Sequence, residues 1–151
     1  MNRIFTVIVA CAVVATAVSC ATPQKGPGIS TQKDITYDIR DVAWDFSGLA
    51  KIYFYTETSN SSDEKEAIAE LMTLLSGRGV ECILDTGESI TYDDPSLQIK
   101  AHRKLMSLLT SIYLMKPGVK GNEEIIAVIS ADSPVKAAAE TLKYIDGFRP
   151  Q

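Results

Sequence analysis

Strand-like apolar segments that alternate with segments of helical spacing constrain the fold of this 151-residue chain more than any other feature. Residues 52–55 are all apolar or aromatic and favour a β-strand. Ser61 and Glu64 then have the spacing of a capping box, and apolar residues recur three and four positions apart until Gly77. This pattern predicts a strand followed by a helix that packs against it.

The same order occurs again in the next forty or so residues. Residues 80–84 form the second predicted strand, and a helix is predicted over residues 94–116. Asp94 as the N-cap and Pro95 at the first helical position would begin this helix. Its apolar stripe would consist of Ala101, Leu105, Leu108, Leu109 and Ile112.

The last strand and helix complete the pattern. The unbroken apolar run over residues 125–129 is typical of a central strand covered on both faces. A helix is predicted from Ser133 to Gly147. The order is therefore βαβαβα, and right-handed crossovers would make the strands parallel. We expect an α/β fold, a single small domain with a three- to four-stranded, largely parallel sheet packed by helices; residues 35–46 could add an edge strand or an extended lead-in.

The first nineteen residues have the composition of an export signal. Arg3 precedes an apolar run over residues 4–18, and small residues close the segment. As a helix the run would span about 22 Å, which is less than the ~30 Å hydrocarbon core of a bilayer. A buried amino-terminal helix is the other interpretation, but this run lacks the polar face that a surface helix shows to water. Residues 1–19 are therefore predicted to be a signal peptide.

Ala17-Val18-Ser19-Cys20 resembles the lipobox of bacterial lipoproteins. The resemblance implies cleavage before Cys20 and attachment of acyl chains there, and two or more chains anchor a protein stably. Ordinary cleavage after Ser19, which would leave Cys20 unmodified, is the alternative. The absence of an acidic residue at positions 21 and 22 favours an outer-membrane anchor that faces the periplasm. The expected partner at this end is the membrane, bound through Cys20.

Composition limits the remaining chain to one domain. Removal of residues 1–19 leaves 132 residues with 14 basic and 19 acidic side chains, a formal charge of −5. This balance excludes a nucleic-acid partner, whose binding needs a basic surface. Residues 20–34, with two prolines and two glycines, are predicted to be the lipidated cysteine and a flexible tether, and residues 35–151 the α/β domain. Cys82 is then the one thiol left, and the strand pattern places it inside.

Two features that suggest catalysis do not lead to an active site. Asp85-Thr86-Gly87 matches the aspartic-protease motif, but such a carboxylate works beside a second one, and the segment that should follow the motif is absent. His102 is the only histidine, and we predict that it lies on the polar side of a helix. No other catalytic motif, metal site or cofactor site is predicted, so we expect that the protein is not an enzyme.

Acidic residues follow the predicted strands. In a parallel sheet, the strand ends and the following helix starts form the edge that binds ligands. Helix capping and the helix macrodipole explain most acids at such positions. The alternative is a face for a cation or a basic protein segment. The candidate residues are Glu57, Asp63, Asp85, Asp93 and Asp132.

Residues 46–84 are similar in plan to the opening unit of several envelope families. In that unit a strand precedes a helix that ends in Leu-x-x-x-Gly-Val, here Leu75 to Val80, and a second strand follows. The families are lipoprotein domains related to curli-export and penicillin-binding-protein-activator proteins, and the amino-terminal domain of the Tol-system β-propeller protein. The resemblance implies binding of an envelope protein. The sequence therefore predicts a lipid-anchored, non-enzymatic interaction or assembly module; a small carboxylate-dependent hydrolase or a cation-binding domain is the alternative.

Overall fold

The computed structural model describes residues 27–32, 34–56, 60–85, 96–103, 108–116 and 124–150. Within these ranges the chain forms seven strands and two helices. The strands are β1 (Gly28–Gln32), β2 (Ile35–Ile39), β3 (Lys51–Tyr55), β4 (Glu81–Asp85), β5 (Ser96–Arg103), β6 (Thr110–Met115) and β7 (Ile125–Ala131). The helices are α1 (Ser62–Ser76) and α2 (Pro134–Ile145).

The seven strands form one mixed sheet in the order β1-β2-β7-β6-β5-β3-β4. The four pairings from β1 to β5 are antiparallel, and only β5-β3 and β3-β4 are parallel. The predicted three- to four-stranded, largely parallel α/β sheet is therefore wrong. The β3-α1-β4 unit is parallel as expected, but antiparallel pairings join β1, β2, β7, β6 and β5.

Hairpins replace the predicted middle helix. Residues 96–103 and 110–115 are β5 and β6, which pair antiparallel with Ala101 opposite Ile112. Both of these residues are buried. The predicted helical stripe would have buried them too, but in the structure they are buried because side chains alternate between the two faces of a strand. Leu108, a member of the predicted stripe, is 79% exposed. Asp94, Pro95 and Leu105 lie outside the described residues.

The predicted tether contains a strand. Its residues 28–32 form β1, which pairs along its whole length with β2. Asp34, in the turn between the two strands, has a positive φ of 66°, a conformation that Asp tolerates better than most residues. The folded part thus includes Gly28, and the boundary predicted between residues 34 and 35 lies within a hairpin.

Both helices lie on the same face of the sheet. α1 contacts β4, β5 and β6, α2 contacts β6 and β7, and the helices pack against each other. One core lies between the layers, and its largest fully buried side chains are Tyr37, Ile52, Phe54, Leu71, Leu75, Ile99, Ile112, Leu114, Ile126, Ile129 and Tyr144. Neither of the two helices within the described ranges lies on the opposite side of the sheet, which we call the helix-free face.

The capping box predicted for α1 is confirmed. The Ser61 backbone N–H donates to Glu64 Oε2 at 2.6 Å, and the Glu64 N–H donates to Ser61 Oγ at 3.3 Å. These bonds satisfy two backbone donors that a helix start would otherwise leave without partners. The predicted apolar stripe of α1 is buried at Ile68, Leu71 and Leu75.

α2 also begins as predicted, with Ser133 Oγ accepting from the Lys136 N–H at 3.2 Å. Its buried face consists of Ala137, Ala138, Thr141, Leu142 and Tyr144. Val135, in the first turn of α2, is 47% exposed and lies outside this buried face. An ion pair between Arg78 and Asp146 joins the carboxyl ends of the two helices.

Phe148 and Arg149, which follow α2, pack against aromatic residues of the core. Phe148 packs against Tyr37 with ring centroids 5.8 Å apart, and the Arg149 guanidinium lies 4.5 Å from the centre of the Tyr144 ring. The Tyr37 hydroxyl donates to Glu140 Oε2 at 2.8 Å. Burial, followed by the hydrogen bond to the Glu140 carboxylate, raises the pKa of Tyr37 above its ordinary value.

Lys116 contacts Asp41 and Trp44 in the segment that connects β2 to β3. Its Nζ lies 2.8 Å from Asp41 Oδ2 and 3.0 Å from Glu124 Oε2, and 5.7 Å from the centre of the Trp44 ring. The bond with Lys116 lowers the pKa of Asp41, and the bonds with Asp41 and then Glu124 raise the pKa of Lys116. This cluster holds the segment after β2 beside the start of β7.

Candidate functional site

The described acidic candidates lie at one end of the sheet. Asp63 is in the first turn of α1, Asp85 is the last residue of β4, and Asp132 directly follows β7. These positions share an end because β3, β4 and β7 run in the same direction, although β6 runs against them. Glu57 and Asp93 lie outside the described residues.

Intervening strands separate these acids. Three strands lie between β7 and β4, so a spacing of ~4.8 Å per strand places Asp132 about 19 Å from Asp85 across the sheet. Oxygen ligands of one calcium ion lie 2.3–2.6 Å from it, so two of them can be no more than about 5 Å apart. Asp132 and Asp85 therefore cannot bind the same ion.

Each of these two acids also has its own surroundings. Asp132 Oδ1 lies 3.1 Å from Lys136 Nζ on the first turns of α2, and its side chain is 51% exposed. Asp85 is only 4% exposed, and its backbone carbonyl accepts from the Thr56 N–H at 3.0 Å. Across the described ranges, no group of three or more His, Cys, Asp or Glu residues has the arrangement of a metal site.

The register of the strands reveals a different arrangement on the helix-free face. Directly opposite residues on antiparallel strands share a face, and Thr31 pairs with Thr36, Thr36 with Ser130, and Ser130 with Ser111. Thr36, Ser130 and Ser111 alternate with buried residues on their strands, so their side chains lie on the face opposite the helices. Thr31 shares that face because it is directly opposite Thr36. We call Thr31, Thr36, Ser130 and Ser111 the hydroxyl row.

The hydroxyl row is most closely assembled at its centre. The hydroxyl oxygens of Ser111 and Ser130 lie 2.7 Å apart, which is the length of a good hydrogen bond between hydroxyls. Both residues are half-buried, as is Thr36, and Thr31 is exposed. The row is therefore a line of polar groups across four strands that solvent reaches increasingly toward β1.

His102 follows Ser111 in the same register. It lies on β5 directly opposite Ser111, so the prediction that it occupies a helix is wrong. Sequence reasoning could not have placed the histidine and the serines together, because their neighbourhood depends on the pairing of β5, β6 and β7. The signal in the sequence is only a hydroxyl residue in each of several short segments.

Tyrosines occupy the neighbouring positions of the helix-free face. Tyr113 is half-buried on β6, and it pairs with Val128 on β7. Tyr53 and Tyr55 lie on the β3 part of this face and are 3% and 8% exposed. Beyond Val128, Asp38 on β2 accepts from the Arg40 guanidinium at 3.0 and 3.2 Å. Among the described residues, the accessible part of this face includes the hydroxyl row, Tyr113, the ion pair of Asp38 with Arg40, and Ile29 on β1, which is 73% exposed.

The structure describes Cys82 but not Cys20. Cys82 is half-buried on β4, and its Sγ lies 3.8 Å from the Met72 carbonyl oxygen of α1, so it faces the helix layer as predicted. Cys20 lies outside the described residues, and its lipidation stays a prediction.

Neither a family model, nor a curated protein, nor a solved structure matches this chain. Among the described residues, no helix has the length and apolar composition needed to cross a membrane.

Proposed function

We propose that the protein is an exported, lipid-anchored module of the cell envelope that acts by binding another envelope protein. The apolar segment 4–18 and the lipobox-like residues before Cys20 support export and acylation. The start of β1 at Gly28 adds a geometric condition. Eight residue steps separate Cys20 from Gly28, so a fully extended chain spans at most roughly 26–29 Å. The anchor keeps the sheet within about one domain diameter of the lipid.

The observation that carries the binding role is the difference between the two faces of the sheet. One face is covered by α1 and α2, and the other presents the hydroxyl row and Tyr113 on β6 and β7. A sheet surface with hydroxyls beside a tyrosine suits an extended protein surface that offers hydrogen-bond donors and acceptors, because tyrosine combines apolar contact with a polar end. The acids spread along the sheet end do not form a comparable surface.

The anchor is tested by metabolic labelling with a palmitate analogue. Cys20→Ala should abolish the label and release the protein from the membrane fraction. Cys82→Ala is the matched control, because it removes the half-buried thiol of the folded domain and should keep both the label and the membrane location. Label that remains in Cys20→Ala would refute the anchor.

The binding surface is tested by placing a photo-crosslinking residue at position 113 in living cells. We expect one discrete crosslinked product with a different protein. Position 143 is the control, because Lys143 is exposed on the helix side of the domain. The same product from position 143, or no product from position 113, would refute binding through the helix-free face.

A further inference from the structure

We draw no further inference here: the strongest candidate, the pair of serine hydroxyls of Ser111 and Ser130 at the centre of the hydroxyl row on the helix-free face, belongs to the surface already proposed for binding, and nothing among the described residues shows which ligand or partner covers it.

Discussion

Replacing Ser111 and Ser130 with cysteines should produce a disulfide that joins β6 and β7. The two residues are directly opposite, and their hydroxyl oxygens are already 2.7 Å apart. The bond would close a loop of about 20 residues, for which the chain-entropy relation gives a stabilisation of about 3 kcal/mol. The substitution also tests whether residue 111 lies in a strand, because a helix over residues 94–116 would not hold position 111 beside β7.

The assay has two parts. Peptide mapping under non-reducing conditions identifies the bond, and urea unfolding with and without a reductant measures its effect on the free energy of unfolding. Tyr113→Cys with Ser130→Cys is the matched control, because Tyr113 shares the face of Ser130 but is opposite Val128. This control pair should form much less disulfide. Equal formation in both pairs, or none in the first, would refute the register, and a stabilisation near zero would refute the loop-entropy argument.

Three further outcomes follow from the core and its hydrogen bonds. Ser61→Ala should lower the free energy of unfolding by about 1 kcal/mol in urea titrations, because the α1 cap is lost; no change would contradict the capping box. Leu71→Ala should cost about 2–5 kcal/mol in the same assay, whereas Leu108→Ala at a 79% exposed position should cost far less; equal losses would contradict the burial. Because the folded pKa of Tyr37 is raised, stability from its protonated hydroxyl is complete below the unfolded pKa of about 10 and is lost as pH rises above it. Tyr37→Phe should therefore reduce the alkaline loss of stability in unfolding measured at pH 8 and pH 11, and an unchanged loss would refute the raised pKa that burial, followed by the bond to Glu140, gives Tyr37.

Local signals predicted the parts of the fold that depend on neighbouring residues. The caps at Ser61 and Ser133, the strand after Ala50 and the apolar run over residues 125–129 all correspond to observed elements. Each has its cause within a few residues, as a cap satisfies nearby backbone donors and an apolar run suits a buried strand. The directions of the strands were wrong because pairing partners lie far apart in the sequence.

β5 and β6 show why the middle helix was wrong. Residues 101–109 are rich in good helix formers, and intrinsic propensity is a weak preference that tertiary contacts override. Here β5 lies between β3 and β6, so both of its edges find backbone partners. The buried alternation of Ile99 with Ala101, and of Ile112 with Leu114, becomes visible only once the strand register is known.

The candidate site was predictable in composition but not in arrangement. The sequence placed Asp63, Asp85 and Asp132 after strands, and they do lie at one end of the sheet. Their separation depends on the strand order, which inserts β6, β5 and β3 between β7 and β4. The hydroxyl row could not be recognised in the sequence for the same reason, because strand pairing brings its members together from four different strands.

The place of β7 within the sheet has a consequence for the time at which the protein can fold. β7 is the last strand in the sequence but lies between β2 and β6, and Tyr37 finds its partner Ile129 only about ninety residues later. A chain delivered from its amino end must therefore wait for nearly its whole length before the sheet can close. Until then β2 and β6 have no strand between them, so the sheet of a nascent copy remains in two separate parts.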